Sequence, residues 1–155
     1  MNESKHILFV DDSPRDTELA LAAFEEFRLV NQIVALRDGA EALDYLFRRG
    51  KFAGRADEHP AVVLLDLKMP KVDGLEVLRQ IKGDPGLRTI PVVVMTSSRE
   101  EQDLIRSYEL GVNAYVVKPV KFPEFVEAVK GVGAFWIMFN EPPPRRRPAP
   151  DRDGG

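Results

Sequence analysis

The sequence predicts an α/β fold, in which a doubly wound, five-stranded parallel sheet is covered by helices on both faces. Apolar strand-like runs alternate with stretches of helical periodicity, an order typical of βαβ units. The runs that begin at Val62 and Val92 are continuously apolar, which indicates central strands buried on both faces. A length of 155 residues with 44% apolar content suits one buried core.

Five short apolar runs are the predicted strands. In chain order they are His6–Val10, Ile33–Leu36, Val62–Leu65, Pro91–Met95 and Ala114–Val117. The polar, glycine-containing segment Arg49–Pro60 reads as a long loop before the third strand.

Helical periodicity occupies the intervals between these runs. Ser13 and Pro14 are favourable residues for a helix start. Apolar residues then follow at helical spacing: Leu19, Ala22, Ala23 and Phe27. The other predicted helices are Ala40–Arg48, Leu75–Lys82, Glu100–Glu109 and an extended one from Phe122 onward.

The composition excludes several classes of protein. A net charge of −3 and a pI near 5.5 argue against a general nucleic-acid-binding protein, because phosphate backbones select strongly basic surfaces. With no cysteine, the chain has neither disulfides nor thiolate chemistry. No signal peptide and no apolar run near the ~20 residues of a membrane span are present. We therefore expect a cytoplasmic protein that does not insert into membranes.

The last residues differ in composition from the rest of the chain. Residues 141–155 are rich in proline and arginine, which predicts a disordered tail of polyproline character after a folded domain spanning 1–140. The triplet Arg145–Arg147 could contact nucleic acid or acidic lipid, but three charges among prolines favour a solvated tail.

Four of the predicted strands end on residues suited to binding metal or phosphate. The carboxyl ends of parallel strands form one edge of a sheet, so these residues are expected to converge. They are Asp11, Asp12, Asp66, Thr96 and Lys118.

Three carboxylates at one edge repel each other unless a cation lies among them. Mg²⁺ is the natural candidate, because it prefers oxygen ligands and keeps sites open for phosphate oxygens. In an alternative interpretation the acids only cap the following helix, which explains Asp12 but neither Asp66 nor Lys118.

A carboxylate can attack phosphorus and form an acyl phosphate, a reaction that depends mainly on positioning and charge neutralisation. Mg²⁺, Lys118 and the Thr96 hydroxyl would each neutralise or bind one phosphoryl oxygen. Considered singly, Thr96 could be an ordinary strand-end residue and Lys118 a surface lysine. Their joint placement favours the phosphoryl site.

These residues lie in four motifs: FVDDSP, LLDLKMPKVDG, VVMTSS and AYVVKP. With them the chain resembles the receiver domains of bacterial response regulators over nearly its whole length. The resemblance implies a flavodoxin-like strand order of 2-1-3-4-5. It also implies that Asp66 accepts a phosphoryl group from a kinase histidine, while Asp11, Asp12, Asp66 and the backbone carbonyl of Lys68 hold the metal.

The same resemblance implies a conformational switch formed by Thr96 and Tyr115, in which the threonine moves toward the phosphoryl group and the ring turns inward. A buried core tyrosine is the alternative for Tyr115. The peptide bond between Lys118 and Pro119 corresponds to one that is usually cis in the family. Gly74 after Asp73 suits the turn into the third helix. Lys68 and Ser97 occupy positions that vary in the family and affect phosphoryl lifetime.

No output domain follows, so the chain resembles a free-standing regulator that acts through protein contacts. The long Arg49–Pro60 loop and the ending AFWIMFNEPPP further resemble regulators paired with bacterial phytochrome kinases. The resemblance implies a sensor histidine kinase as partner, and the narrower match implies a bacteriophytochrome.

The predicted last helix carries a run of consecutive apolar residues, Phe135 to Phe139, which cannot all face its own core. Exposed aromatics usually mark an interface. We therefore expect a homodimer with Phe135, Trp136 and Phe139 at its interface; packing within one subunit is the alternative.

Three other functions remain as alternatives. A phosphoaspartate-type phosphohydrolase carries a second aspartate two places after the nucleophile, where this chain has Lys68. A flavin or nucleotide site needs a Ser/Thr/Gly phosphate loop after the first strand, where Asp11 and Asp12 would repel phosphate. A receiver-like dimerisation module without phosphotransfer conflicts with the complete set of site residues. We do not expect an enzyme, and His6 and His59 are interpreted as structural or solvated.

Overall fold

The computed structural model describes residues 6–26, 33–118 and 121–141, which include a five-stranded sheet in the order β2-β1-β3-β4-β5. Its strands are β1 (Ile7–Val10), β2 (Ile33–Leu36), β3 (Val62–Leu65), β4 (Val92–Thr96) and β5 (Ala114–Val117). All four neighbouring pairs are parallel. The predicted sheet is therefore confirmed. Its bounds differ at β1, which begins one residue later than expected, and at β4, which is shifted forward by one residue.

Five helices cover the sheet, as predicted. They are α1 (Pro14–Glu26), α2 (Gly39–Phe47), α3 (Gly74–Gly83), α4 (Glu101–Glu109) and α5 (Phe122–Ala134). The chain continues from α5 into a π-helical segment, Phe135–Phe139, which gives the expected extension of the last helix.

The core has two layers, because successive strand residues point to opposite faces of the sheet. On one face Leu8, Val10 and Leu65 pack with residues of α2 and α3. On the other face Phe9 and Leu64 pack with residues of α1 and α5. Strands β1, β3 and β4 are buried throughout, which confirms the central position inferred for β3 and β4 from their continuous apolar runs.

The buried face of α1 is displaced from the one predicted. The helix buries Ala20, Ala23 and Phe24, whereas Ala22 is exposed. The reason is the close approach of α5: a Cβ atom at Gly133 would overlap the ring of Phe24. The i, i+3, i+4 stripe therefore starts at Ala20. Leu19 is half-buried, and the predicted core residue Phe27 lies outside the described residues.

The predicted long loop is held in place at the amino-terminal end of the sheet. It contains a 3₁₀ turn, Gly50–Phe52, and Arg55 lies over the ring of Tyr45 at 4.0 Å. Arg55 Nε also donates to the Tyr45 carbonyl at 3.0 Å. His6 is buried at a hydrogen-bonding distance of 2.9 Å from the Tyr45 hydroxyl, which confirms its structural interpretation.

Two predictions concern residues beyond the described part of the chain. The Lys118–Pro119 peptide bond involves residue 119, and the proline- and arginine-rich tail, apart from Glu141, lies in 142–155. Within the described residues no helix is long and apolar enough to span a membrane.

Candidate functional site

The carboxyl ends of the strands bring the predicted site residues together. Asp11 directly follows β1, Asp66 follows β3, Thr96 ends β4 and Lys118 follows β5. Backbone hydrogen bonds extend the sheet one residue past the strand ends, since Asp66 N donates to Val10 O at 3.0 Å and Lys118 N donates to Thr96 O at 2.7 Å. The site is thus built on rigid backbone.

Three carboxylates form a cluster at this edge. Asp11, Asp12 and Asp66 each offer a carboxylate oxygen, and these atoms lie within 4.8 Å of one another. Asp11 and Asp66 are buried, whereas Asp12 is exposed and lines a cleft of about 300 Å³ beside Lys68 and Asp103. The adjacent Asp11 and Asp12 therefore both reach the cluster, as expected at the end of a strand.

Lys118 lies among the acids. Its Nζ atom donates to Asp11 Oδ2 at 2.6 Å, to Asp16 Oδ2 at 2.8 Å and to Asp66 Oδ2 at 3.1 Å. Only 10% of its side chain is exposed, so the interpretation as an ordinary surface lysine does not hold. Each of the three ammonium hydrogens has a carboxylate acceptor.

Asp16 was not identified from the sequence, because its spacing resembles a local helix cap. Ser13 precedes it by three positions, and Ser13 Oγ accepts a hydrogen bond from Asp16 N at 3.2 Å. In a complete capping box the Asp16 carboxylate would accept from Ser13 N, but Asp11 Oδ1 takes that hydrogen bond at 2.9 Å. The Asp16 carboxylate therefore remains available to Lys118.

The electrostatics of the cluster follow from burial and from Lys118. Burial raises the pKa of Asp11 to about 6, although the hydrogen bond and charge of Lys118 oppose this shift. For Lys118 burial alone would lower the pKa, but its hydrogen bond with Asp11 and the charges around it hold the pKa above the ordinary value. Lys118 is therefore charged at neutral pH.

The segment after Asp66 donates a hydrogen bond to its carboxylate and packs closely against its backbone. Lys68 N donates to Asp66 Oδ1 at 3.2 Å. Gly74 begins α3 so close to this segment that a Cβ atom would overlap the Asp66 carbonyl and meet Leu67 Cα at 2.6 Å. The requirement for glycine is thus close packing and not the turn predicted from the sequence; the left-handed residue of this loop is Lys71, with φ of 66°.

The two predicted switch residues meet at the loop that follows β4. Thr96 is fully buried, and its Oγ1 accepts from Ser98 N at 3.3 Å. The Tyr115 hydroxyl donates to Ser98 O at 3.1 Å, and its ring is half-buried. Tyr115 is thus an intermediate case between a core tyrosine and an exposed one.

A second carboxylate missed by sequence reasoning, Asp103, lies across the mouth of the site. It accepts from Ser98 Oγ at 2.6 Å and from Lys68 Nζ at 3.3 Å. The Ser98 hydrogen bond in particular lowers the pKa of Asp103. A position in the first turn of α4 predicts only a favourable helix-dipole contact, so no local signal distinguished it.

The aromatic run at the end of the last helix divides between core and surface. Phe135 is 50% exposed, whereas Trp136 packs partly against its own core and Ile137 is buried. The side chain of Phe139 lies outside what the structure describes. Of the two predicted interface residues whose side chains the structure describes, Phe135 and Trp136, Phe135 is the one that presents a large exposed apolar surface.

Comparison with known protein families decides what kind of domain this is. The family model described as "Response regulator receiver domain" matches residues 7–130. The chain belongs to this family. The receiver domain has the predicted fold, and the four motifs of the sequence are the ones that supply its clustered residues.

Several solved structures resemble this receiver domain. The bacteriophytochrome response regulator AtBRR is 60% identical, with a TM-score of 0.71 and coverage of 90% of this chain and 100% of its own. The phosphorylated cyanobacterial phytochrome response regulator RcpA is 39% identical, with a TM-score of 0.84 and coverage of 90% and 99%. The Mn²⁺-bound form of the response regulator Rcp1 is 38% identical, with a TM-score of 0.81 and the same coverages.

The donor set of the receiver domain fits a divalent cation. Asp11, Asp12 and Asp66 supply only oxygen ligands, which suit hard cations such as Mg²⁺ and Mn²⁺. Two of these acids are buried, and a divalent ion would compensate their charge more fully than Lys118 alone.

Proposed function

We propose that the receiver domain accepts a phosphoryl group on Asp66 from a phosphohistidine of a sensor kinase, in a site that holds Mg²⁺. The observation that carries this proposal is the arrangement around Lys118, whose Nζ contacts Asp66 and Asp11 directly. A buried carboxylate beside a fixed cation and two further acids is the environment that phosphoryl transfer to aspartate requires.

Each residue then has a defined task. A carboxylate oxygen of Asp66 forms the bond to phosphorus while the bond from phosphorus to the donor's imidazole nitrogen breaks. Lys118 pairs with one phosphoryl oxygen, and the hydroxyl of Thr96 donates to another. Asp11, Asp12, Asp66 and the carbonyl of Lys68 would hold Mg²⁺, which supplies neutralisation of the developing phosphoryl charge.

The output is a change in a protein-interaction surface. Thr96 and Tyr115 are both hydrogen-bonded to Ser98, the first to its N–H and the second to its carbonyl. If Thr96 turns toward a phosphoryl group, the hydrogen bond that it accepts from Ser98 N is lost. The loop and the Tyr115 hydroxyl bonded to it would then rearrange next to α4.

A phytochrome-type sensor kinase is the proposed partner. The similar proteins RcpA and AtBRR are described as phytochrome and bacteriophytochrome response regulators. The phosphorylated form of RcpA further supports phosphorylation of this chain. We propose that the protein acts in the cytoplasm as a phosphoacceptor and not as an enzyme; Lys68 stands where a phosphohydrolase would carry its second aspartate.

We also propose that the protein forms a homodimer. Phe135 stacks edge-on against Trp136 at 5.1 Å and leaves half of its own surface exposed. An exposed aromatic beside a rigid helix end favours a protein contact over solvent.

The proposed phosphoacceptor is tested by intact mass measurement after incubation with phosphoramidate, a small phosphodonor, and Mg²⁺. We expect one added phosphoryl group in the wild type and none in Asp66→Asn. Asp57→Asn is the matched control, because Asp57 is exposed and lies in the loop at the opposite end of the sheet, and it should label like the wild type. Equal labelling of wild type and Asp66→Asn would assign the acceptor to another residue.

A further inference from the structure

We propose that Asp16 is a positioning residue for phosphoryl transfer, which anchors the ammonium group of Lys118 while the other acceptors of that group change partners. This inference rests on the proposed function. It follows from the three hydrogen bonds of Lys118 and from the different duties of the three carboxylates that accept them.

Two of the three carboxylates that accept hydrogen bonds from Lys118 have a second role. Asp11 and Asp66 belong to the carboxylate cluster with Asp12, and Asp66 is also the proposed phosphoacceptor. Once Asp66 forms an acyl phosphate, its negative charge moves onto the phosphoryl oxygens. The hydrogen bonds from Lys118 to these two acids are therefore the ones that metal binding and phosphorylation weaken.

Asp16 has no second role of this kind. It is not part of the cluster of possible metal ligands found among the described residues, and it comes from α1 and not from a strand end. Its Oδ2 lies 2.8 Å from Lys118 Nζ, closer than Asp66 Oδ2 at 3.1 Å. One hydrogen bond of Lys118 is thus fixed from outside the reacting groups.

The remaining hydrogens of the ammonium group can then move from carboxylate oxygens to a phosphoryl oxygen, while the amine stays within reach of it. A long, flexible lysine side chain without this anchor would sample other rotamers. The expected contribution of Asp16 is to the placement of Lys118, and for this reason it depends on Lys118 being present.

Local stabilisation of α1 is the competing explanation for Asp16. A carboxylate in the first turn of a helix is favourable with respect to the helix dipole whatever lies at position 118. The two explanations differ in how the effect of removing Asp16 changes when Lys118 is also removed.

A stability cycle in the presence of a metal chelator separates them. The melting temperatures of wild type, Asp16→Asn, Lys118→Met and the double variant are compared. We expect Asp16→Asn to lower the melting temperature by about 2–4 °C in the wild type. In the Lys118→Met background it should raise the melting temperature, because it removes one of several unpaired acids. A lower melting temperature in both backgrounds, or no change in either, would overturn the anchor.

Phosphorylation rates provide the functional readout. With phosphoramidate and Mg²⁺, Asp16→Asn should slow labelling of Asp66 by about tenfold or more, as misplacement of a reacting group does. Asp16→Glu keeps a carboxylate within reach and should recover most of the rate. Glu18→Gln removes an exposed charge from the same helix and should label like the wild type.

The outcomes distinguish this inference from the function on which it rests. Normal labelling of wild type and Asp16→Asn alike would overturn the positioning role and leave Asp66 as the acceptor. An unlabelled wild-type protein would overturn the proposed function, and the positioning role with it.

Discussion

At the scale of single residues, Lys118 compensates the negative charges of the buried acids. Asp11 and Asp66 are 2% and 7% exposed, so neither charge is well solvated by water. Lys118 offsets them without filling the open side of the cluster, where the exposed Asp12 lies. Among the described residues, Lys118 is therefore the cation that compensates the buried acids in the metal-free protein, and a divalent ion would add to this compensation.

Removal of this cation gives the first prediction. Lys118→Met should lower the free energy of unfolding of the metal-free protein by about 3 kcal/mol, because it leaves buried carboxylates without their partner. Millimolar Mg²⁺ should raise the melting temperature of the variant by more than it raises that of the wild type, because more charge remains to be neutralised. Thermal unfolding with and without Mg²⁺ measures both effects.

Lys121→Met is the control for that experiment. Lys121 is exposed and its loss changes the net charge equally. If both lysine variants respond to Mg²⁺ as the wild type does, Lys118 does not compensate the charge of the carboxylate cluster.

The site residues that the sequence predicted are those at strand ends. Asp11, Asp66, Thr96 and Lys118 each follow or end an apolar run, and the geometry of a parallel sheet brings such positions together. Asp16 and Asp103 could not be predicted in this way. Both lie in first turns of helices, where an acid already has a local explanation, and the lysines that they contact, Lys118 and Lys68, are distant from them in the sequence.

At the scale of secondary structure elements, side-chain caps mark where α2 and α3 begin. Asp38 caps α2, because its side chain accepts from Glu41 N at 2.8 Å, and Asp73 caps α3 in the same way at 2.9 Å. The hydrogen bond from Glu41 N in particular holds the pKa of Asp38 below its ordinary value of 3.8. Lys71 contributes in the same direction from 3.5 Å.

The second prediction concerns this cap and its pH dependence. Asp38→Ala should lower the free energy of unfolding by about 1 kcal/mol at neutral pH. Because the pKa of Asp38 is lowered on folding, its contribution is complete above pH 3.8 and is lost as the pH falls through the lower folded value. The difference between wild type and variant in urea unfolding should therefore be smaller well below pH 3.8 than at neutral pH.

Asp38→Asn serves as the comparison, since asparagine caps a helix about as well as aspartate. It should keep most of the stability at neutral pH. A deficit of Asp38→Ala that is the same at both pH values would show that the charge has no part in the cap.

The elements themselves were predicted well where the pattern is unambiguous. Strands β2, β3 and β5 have the predicted bounds. The predicted helix ends lie within about one residue of the observed ones. The buried stripe of α1 was predicted at displaced positions, because alanines and leucines occur on several of its faces and only the contact with Gly133 on α5 selects one. That contact depends on packing between elements distant in the chain.

At the scale of the whole molecule, the described residues include two large aromatics that lie outside the core, Tyr108 on α4 and Phe135 after α5. Phe135 follows the regular part of α5 and begins the π-helical segment, where the helical geometry changes. Trp136 instead packs partly on its own subunit, so its removal would disturb the fold as well as any interface. Phe135 is therefore the better residue with which to test association.

The third prediction is that Phe135→Ala shifts the protein toward monomer. Sedimentation equilibrium should give a dimer mass for the wild type at concentrations where the variant is monomeric, because the change removes an exposed aromatic that a partner would bury. Tyr108→Ala is a matched control, since Tyr108 is 54% exposed on α4. Identical masses for wild type and Phe135→Ala would contradict a dimer through this surface.

We propose that residues far apart in the chain together form a metal-dependent phosphoacceptor site around Asp66. The most direct measurement treats the Mg²⁺-phosphoramidate product with borohydride, which reduces an acyl phosphate on aspartate to homoserine, and sequences the peptides by mass spectrometry. We predict homoserine at Asp66, and none when Mg²⁺ is chelated before the phosphodonor is added. Homoserine at a different aspartate, or equal modification without Mg²⁺, would contradict the account.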